Sequence, residues 1–201
     1  MQQTAENNYS IQESRQVIGW TVQNVSYTEV DYYPAHPQRC YTTENSQIHT
    51  VDFSVSLHFT NGKSMEISWK NFEIQAEEEY NAYGLSIRIL AENAPSLAGQ
   101  RTWDVSEETP WMQVVEQPVR DVKIYWSQTR VETPRETKEL DFKHPQAIAL
   151  HFPGDHTIFL SIAEFQSGNL HKVVRGVNNL LVTSNEVLAR QTNMLSEKAA
   201  V

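Results

Sequence analysis

Histidines, a single cysteine and clustered acids are the residues of this chain whose types suit chemistry. There are seven histidines. The tightest grouping is the run His151-Phe152-Pro153-Gly154-Asp155-His156, which sets two imidazoles and a carboxylate close together. Such nitrogen and oxygen donors bind zinc or a similar divalent ion when they converge. Here the spacing is that of a strand followed by a turn, so convergence does not follow from it. The sequence has neither a His pair one helical turn apart nor a Cys-x-x-Cys pair. No metal and no cofactor is expected. His58 and His151 read instead as polar residues on half-exposed strands. The alternative expectation is a ligand pocket between two halves of the chain, formed near His58, His151, Asp155 and His156.

Cys40 is the only cysteine, so an internal disulfide is ruled out. A reducing compartment and a cytoplasmic location are expected. A nucleophilic thiol needs a base and a positive surround. His36 and Arg39 are weak candidates for both, and Cys40 reads as a small half-buried side chain beside Tyr41. The runs Glu77-Glu78-Glu79 and Glu107-Glu108 lie in polar stretches, where carboxylates form solvated faces more readily than acid–base pairs. No glycine-rich phosphate loop, Gly-x-Ser-x-Gly or His-Glu-x-x-His occurs. No catalytic residue is assigned, and the reading leans away from an enzyme.

The chain has 201 residues and a formal charge of −9. A balance this acidic repels nucleic acid unless a basic patch overrides it, and the densest basic stretch holds only Lys172 and Arg175. It favours encounter with a basic protein. The first ten residues lack the basic and apolar regions of a secretory signal. No apolar run has the length of a membrane helix. Hydrophobic residues at 39% and aromatics at 10% are enough for a packed core and too many for a disordered chain.

The elements that must position any site repeat. Segments 55–72 and 148–165 align without a gap. Leu57 matches Leu150, His58 matches His151, Phe59 matches Phe152, Ser68 matches Ser161 and Phe72 matches Phe165. Both alternate apolar with other residues around a Gly-containing turn, Asn61-Gly62 or Gly154-Asp155, which is the pattern of a β-hairpin. At Asn61-Gly62 both residues are expected at positive φ. Upstream, Val22, Val25 and Tyr27 match Val119, Val122 and Ile124. The expected fold is mainly β (α+β), with two tandem strand-hairpin-strand units packed with pseudo-twofold symmetry and a short C-terminal helix. The boundaries are a polar tail at 1–14, a first β unit at 15–92, a link at 93–110, a second β unit at 111–185, and a C-terminal helix and tail at 186–201, together forming one globule. Short helical stretches are expected at 71–83 and 173–179, and Asn185 is expected to cap the C-terminal helix.

Each unit also carries a long polar loop with prolines, at about 31–50 and 127–145. The first is rich in aromatics and mixed charge: Tyr32, Tyr33, His36, Arg39 and Tyr41. The second is charged, with Arg130, Glu132, Arg135 and Glu136. Aromatic and charged loops on a rigid scaffold are suited to protein contact. In general character, acidic and β-rich without catalytic motifs, the chain resembles inhibitors and immunity-type proteins that neutralise toxins or nucleases. That resemblance implies a non-enzymatic module that binds another protein through these two loops.

Overall fold

A computed structural model describes residues 12–32, 34–43, 45–74, 80–91, 99–131, 140–166 and 169–195. Ten strands carry the fold: β1 (Val22–Val30), β2 (His49–Val51), β3 (Ser54–Phe59), β4 (Lys63–Ile74), β5 (Tyr80–Ala91), β6 (Gln100–Asp104), β7 (Asp121–Val131), β8 (Leu140–His151), β9 (Thr157–Gln166) and β10 (Asn169–Thr183). They form two antiparallel sheets of five, in the orders β5-β4-β3-β1-β6 and β2-β10-β9-β8-β7. A helical turn at 12–16, a 3-10 turn at Pro153–Asp155 and a helix at Glu186–Gln191 complete the described secondary structure.

Alternation along each strand sends one set of side chains between the sheets. Val25, Tyr27, Val55, Leu57, Met65, Ile67, Leu85 and Ile87 from the first sheet share one buried core with Val122, Ile148, Leu150, Ile158, Leu160, Ile162, Leu180 and Val182 from the second. Each fully buried aliphatic side chain contributes roughly 1.5–3 kcal/mol, so this shared core holds the sheets together. The second sheet is also covered on its outer face. There Tyr125, Ala147, Ala149, Phe159, Ala163 and Leu181 pack with Ile48, Ala189, Met194 and Leu195. Asn185 starts the helix that supplies this cover, its Oδ1 accepting from Leu188 N at 3.0 Å.

The two meanders β1-β3-β4-β5 and β7-β8-β9-β10 run in the same order, and their registers agree. Val25 pairs with Leu57 and Val122 with Leu150; Tyr27 pairs with Val55 and Ile124 with Ile148. The segment leading into each meander is matched as well. Gly19 and Glu116 both take positive φ, 86° and 65°. These two lead-in segments pair with each other. Thr21 bridges Pro118, Gly19 N donates to Val119 O as Glu116 N does to Val22 O, and Val22 N donates to Gln117 O as Val119 N does to Trp20 O. Such reciprocity, in which each contact has its mirror, is what a twofold relation between units produces.

Several sequence expectations are corrected. Residues 71–83 are not helical where described: β4 runs to Ile74 and β5 begins at Tyr80, while 75–79 lie outside the described residues. The 173–179 stretch belongs to β10. The second long loop is mostly strand, since β7 and β8 pair from Asp121↔His151 out to Val131↔Leu140, with a bulge that seats Pro145 opposite Trp126. The link at 93–110 contains β6, which pairs with β1. At the first turn only Gly62 has positive φ. Gly62 N donates to Phe59 O at 3.0 Å and Asn61 Oδ1 accepts from Lys63 N at 3.1 Å, a three-residue loop in which only the last position requires glycine.

Candidate functional site

The described residues that converge with polar chemistry lie where the first loop leaves β1 and joins the second sheet. Tyr27 sits on the inner face of β1, fully buried. Trp111 comes from the turn after β6, and its indole N–H donates to the Tyr27 hydroxyl at 2.6 Å. His49 opens β2, and its Nδ1 lies 3.0 Å from the same hydroxyl. Tyr41 packs edge-on to Tyr27 and against His49, with ring centroids 5.1 and 5.3 Å apart. The Tyr41 hydroxyl donates to Glu108 Oε1 at 2.5 Å, and the Arg39 guanidinium reaches that oxygen at 2.8 Å. The Thr42–His49 bridge and Thr50 N donating to Tyr41 O fasten the loop over β2.

His49, Glu108, Thr42, Thr43, Ser46 and Thr109 line an open groove of about 310 Å³. Beyond Thr109 it adjoins a second hollow flanked by Gln47, Asn185 and Val187. Burial pushes the His49 imidazole down, with the Glu108 charge opposing it. Burial pushes the Tyr27 phenol well up. Tyr41 is raised by burial and by the carboxylate that accepts its proton. The two phenols and the imidazole are therefore uncharged at neutral pH, beside the Arg39–Glu108 ion pair.

Around this cluster the surface is aromatic, with arginines that are themselves paired to carboxylates. Arg39 lies over Trp103 at 5.7 Å and Arg101 at 5.8 Å. Arg101 also pairs with Asp31 at 2.7 Å. Tyr32 is 61% exposed nearby on the same loop. Cys40 is exposed, and burial together with the Glu29 and Asp52 charges raises its thiol, which disfavours the thiolate a nucleophile needs.

Of the loop residues expected at a contact surface, Tyr32, His36 and Arg39 are exposed. Tyr41 is not a surface residue: it is wholly buried, because its ring fills the space between Tyr27 and His49. Tyr33, Glu132, Arg135 and Glu136 lie outside the described residues, and Arg130 is described only as part of β7.

His58 and His151 are not brought together. Each sits on the strand face opposite a core leucine, Leu57 or Leu150, so they point away from the interface on the two outer faces. Their surroundings correspond, with His58 Nδ1 2.7 Å from Ser64 Oγ and His151 Nδ1 3.0 Å from Thr157 Oγ1. His58 Nε2 also meets Ser26 Oγ at 2.9 Å, so both its ring nitrogens are engaged internally. Asp155 is exposed at the turn and His156 half-buried beside Gly154. Among the described residues no three His, Cys, Asp or Glu side chains are grouped to hold a metal ion. None of their helices is long and apolar enough to cross a membrane.

The residues that sequence reasoning passed over are Tyr27, His49 and Trp111; Glu108, expected on a solvated face with Glu107, is instead held by Tyr41 and Arg39. One signal was present: His49 lies between the apolar residues Ile48 and Val51 at a position that β2 buries. No family model, curated protein or solved structure matches the chain.

Proposed function

We propose that the protein is a non-enzymatic module that binds another protein, in the manner of an inhibitor or immunity-type protein. Its contact surface is the first loop together with β6. The observation that carries this reading is the stack of Arg39 and Arg101 on Trp103 beside exposed Tyr32. Tyr, Trp and Arg are the residue types that dominate binding energy at protein interfaces. The two arginines are already held by Glu108 and Asp31, so less side-chain freedom is lost when a partner docks. The charge of −9 favours a partner with a basic region and speeds its approach at low salt.

The test is capture of a partner from the native host at low salt, followed by reconstitution from the two purified proteins. The double substitution Tyr32→Ala and Arg39→Ala is expected to weaken the complex at least about tenfold, and Glu66→Ala, remote on the outer face of β4, to leave it unchanged. A reconstituted complex indifferent to the double substitution, or retention of no protein at low salt, overturns the reading.

A further inference from the structure

The groove beside His49 has a donor and an acceptor whose directions follow from hydrogen-bond accounting. An indole N–H only donates, so the Tyr27 oxygen accepts from Trp111. The Tyr27 proton then has one described acceptor, His49 Nδ1. In the opposite arrangement, with Nδ1 protonated, a fully buried phenol proton has no partner, which burial away from water disfavours. His49 therefore carries its proton on Nε2. The residue is 6% exposed and lines the groove, and its Nε2–H has no hydrogen bond among the described residues. Glu108 borders the same groove. Its Oε1 already takes Tyr41 and Arg39, which leaves Oε2 as an acceptor.

Charge then selects the ligand. Glu108 is offset by Arg39, and His49 is neutral, so the groove has no net charge to offer. A phosphate or carboxylate would meet the Glu108 carboxylate. An ammonium would compete with a guanidinium already in place. A group that accepts and donates side by side, without charge, satisfies both walls, and Thr42, Ser46 and Thr109 add hydroxyls that serve either role.

We propose that this groove binds a neutral amide, its carbonyl accepting from His49 Nε2–H and its N–H donating to Glu108 Oε2. The amide belongs either to a free small molecule or to a polypeptide, as an Asn or Gln side chain or a peptide bond. The proposal does not rest on the protein-binding reading, although Arg39 takes part in both the groove and the Tyr32–Trp103 surface.

The experiment uses the full chain, labelled with ¹⁵N. Two-bond proton–nitrogen correlations are expected to show His49 in the Nε2–H form. Titrations with acetamide and with N-acetylglutamine N-methylamide are expected to shift the backbone signals of Thr42, Ser46 and Thr109 and to saturate in the millimolar range. Saturation by acetamide assigns a small-molecule source; saturation by the blocked peptide alone assigns a polypeptide. His49→Phe is expected to weaken binding about tenfold, as loss of one hydrogen bond does. Glu108→Ala, which leaves Trp111, Tyr27 and His49 in place, serves where His49→Phe does not fold and is expected to weaken it similarly. A proton on Nδ1, equal shifts with acetate, no saturation by either amide, or affinity unchanged in the variant that folds overturns the proposal.

Discussion

Position for position, Ser54, Ser56, Glu66 and Lys70 on the outer face of the first sheet stand where Ala147, Ala149, Phe159 and Ala163 stand on the second. The inner faces are alike, Leu57 and Ile67 answering Leu150 and Leu160. So the inner faces account for the core that the two sheets share, and the outer faces account for how the two halves differ. On the first sheet short hydroxyls hold His58 between Ser26 and Ser64, and Glu66 pairs with Arg88. On the second, alanines leave room for a covering layer. The C-terminal helix and the residues after it fill that room, and Ser161 Oγ fastens them by donating to Met194 O at 3.0 Å. A few residue choices on one face of a sheet decide whether it meets solvent or another element.

The largest test of this contrast is truncation at one matched pair. Phe159→Ala removes a nearly buried ring from beneath the cover and is expected to cost about 3–5 kcal/mol. Glu66→Ala removes one end of a surface ion pair and is expected to cost about 0–1 kcal/mol. Urea unfolding of the two variants measures both. Equal losses would mean that the outer faces do not differ as described.

Next in size is the hydroxyl that joins the halves. Tyr27 lies in the first meander and Trp111 just before the second. Tyr27→Phe keeps the ring but leaves the buried Trp111 N–H and His49 Nδ1 without their partner. A loss of about 1–3 kcal/mol is expected in the same unfolding measurement. The matched position in the second meander is Ile124, which carries no such network, so Ile124→Val is expected to cost only about 0.5–1.5 kcal/mol.

How far these arrangements were legible in the sequence follows from their range. The hairpins were readable because a two-residue period and a glycine turn are local signals. The stretch from Phe72 to Tyr80 misled because positions four apart satisfy a helical period and a strand alternation equally. The polar half of the β7–β8 hairpin read as loop because those strands carry polar side chains and Pro145. A bulge at Gln146, opposite Tyr125 and Trp126, accommodates that proline. The His49 cluster left almost no local trace. It is assembled from β1, β2 and the turn after β6, and no spacing rule links Tyr27 to Trp111.

One buried and one half-buried imidazole make stability depend on pH. His49 and His58 both lie below the usual histidine value of 6.5, chiefly through burial. The unfolded chain takes up protons near 6.5 that the folded chain refuses. Their contribution is therefore fully present above that pH and is lost as pH falls from 6.5 through the depressed folded values. Glu29 and Asp52 work oppositely, since burial raises both carboxyls and the folded chain holds protons that the unfolded one releases. The His58 share is isolated by comparing wild type with His58→Gln. The variant is expected to lose less stability than wild type between pH 7.5 and pH 5.5 on the scale of urea midpoints, a window of about one unit either side of the free imidazole value. Parallel curves would remove His58 from the account.

The smallest effect probes the paired segments that lead into the two meanders. Gly19 and Glu116 hold the same left-handed backbone conformation in reciprocal contacts. Glycine takes that conformation freely, and a side chain there costs about 1–2 kcal/mol. A Cβ at Gly19 would meet nothing within 4 Å, so Gly19→Ala sets only that backbone cost against the chain entropy of glycine, and a net loss of about 0.5–1 kcal/mol is expected. Glu116 already bears that cost. Glu116→Gly relieves it but adds the chain entropy of glycine, about 0.5–1 kcal/mol, so a net gain of at most about 0.5–1 kcal/mol is expected. Thermal unfolding of the two variants should move in opposite directions. If both lower the midpoint, Glu116 is stabilised in that conformation by something Gly19 lacks, and the paired segments are not energetically equivalent.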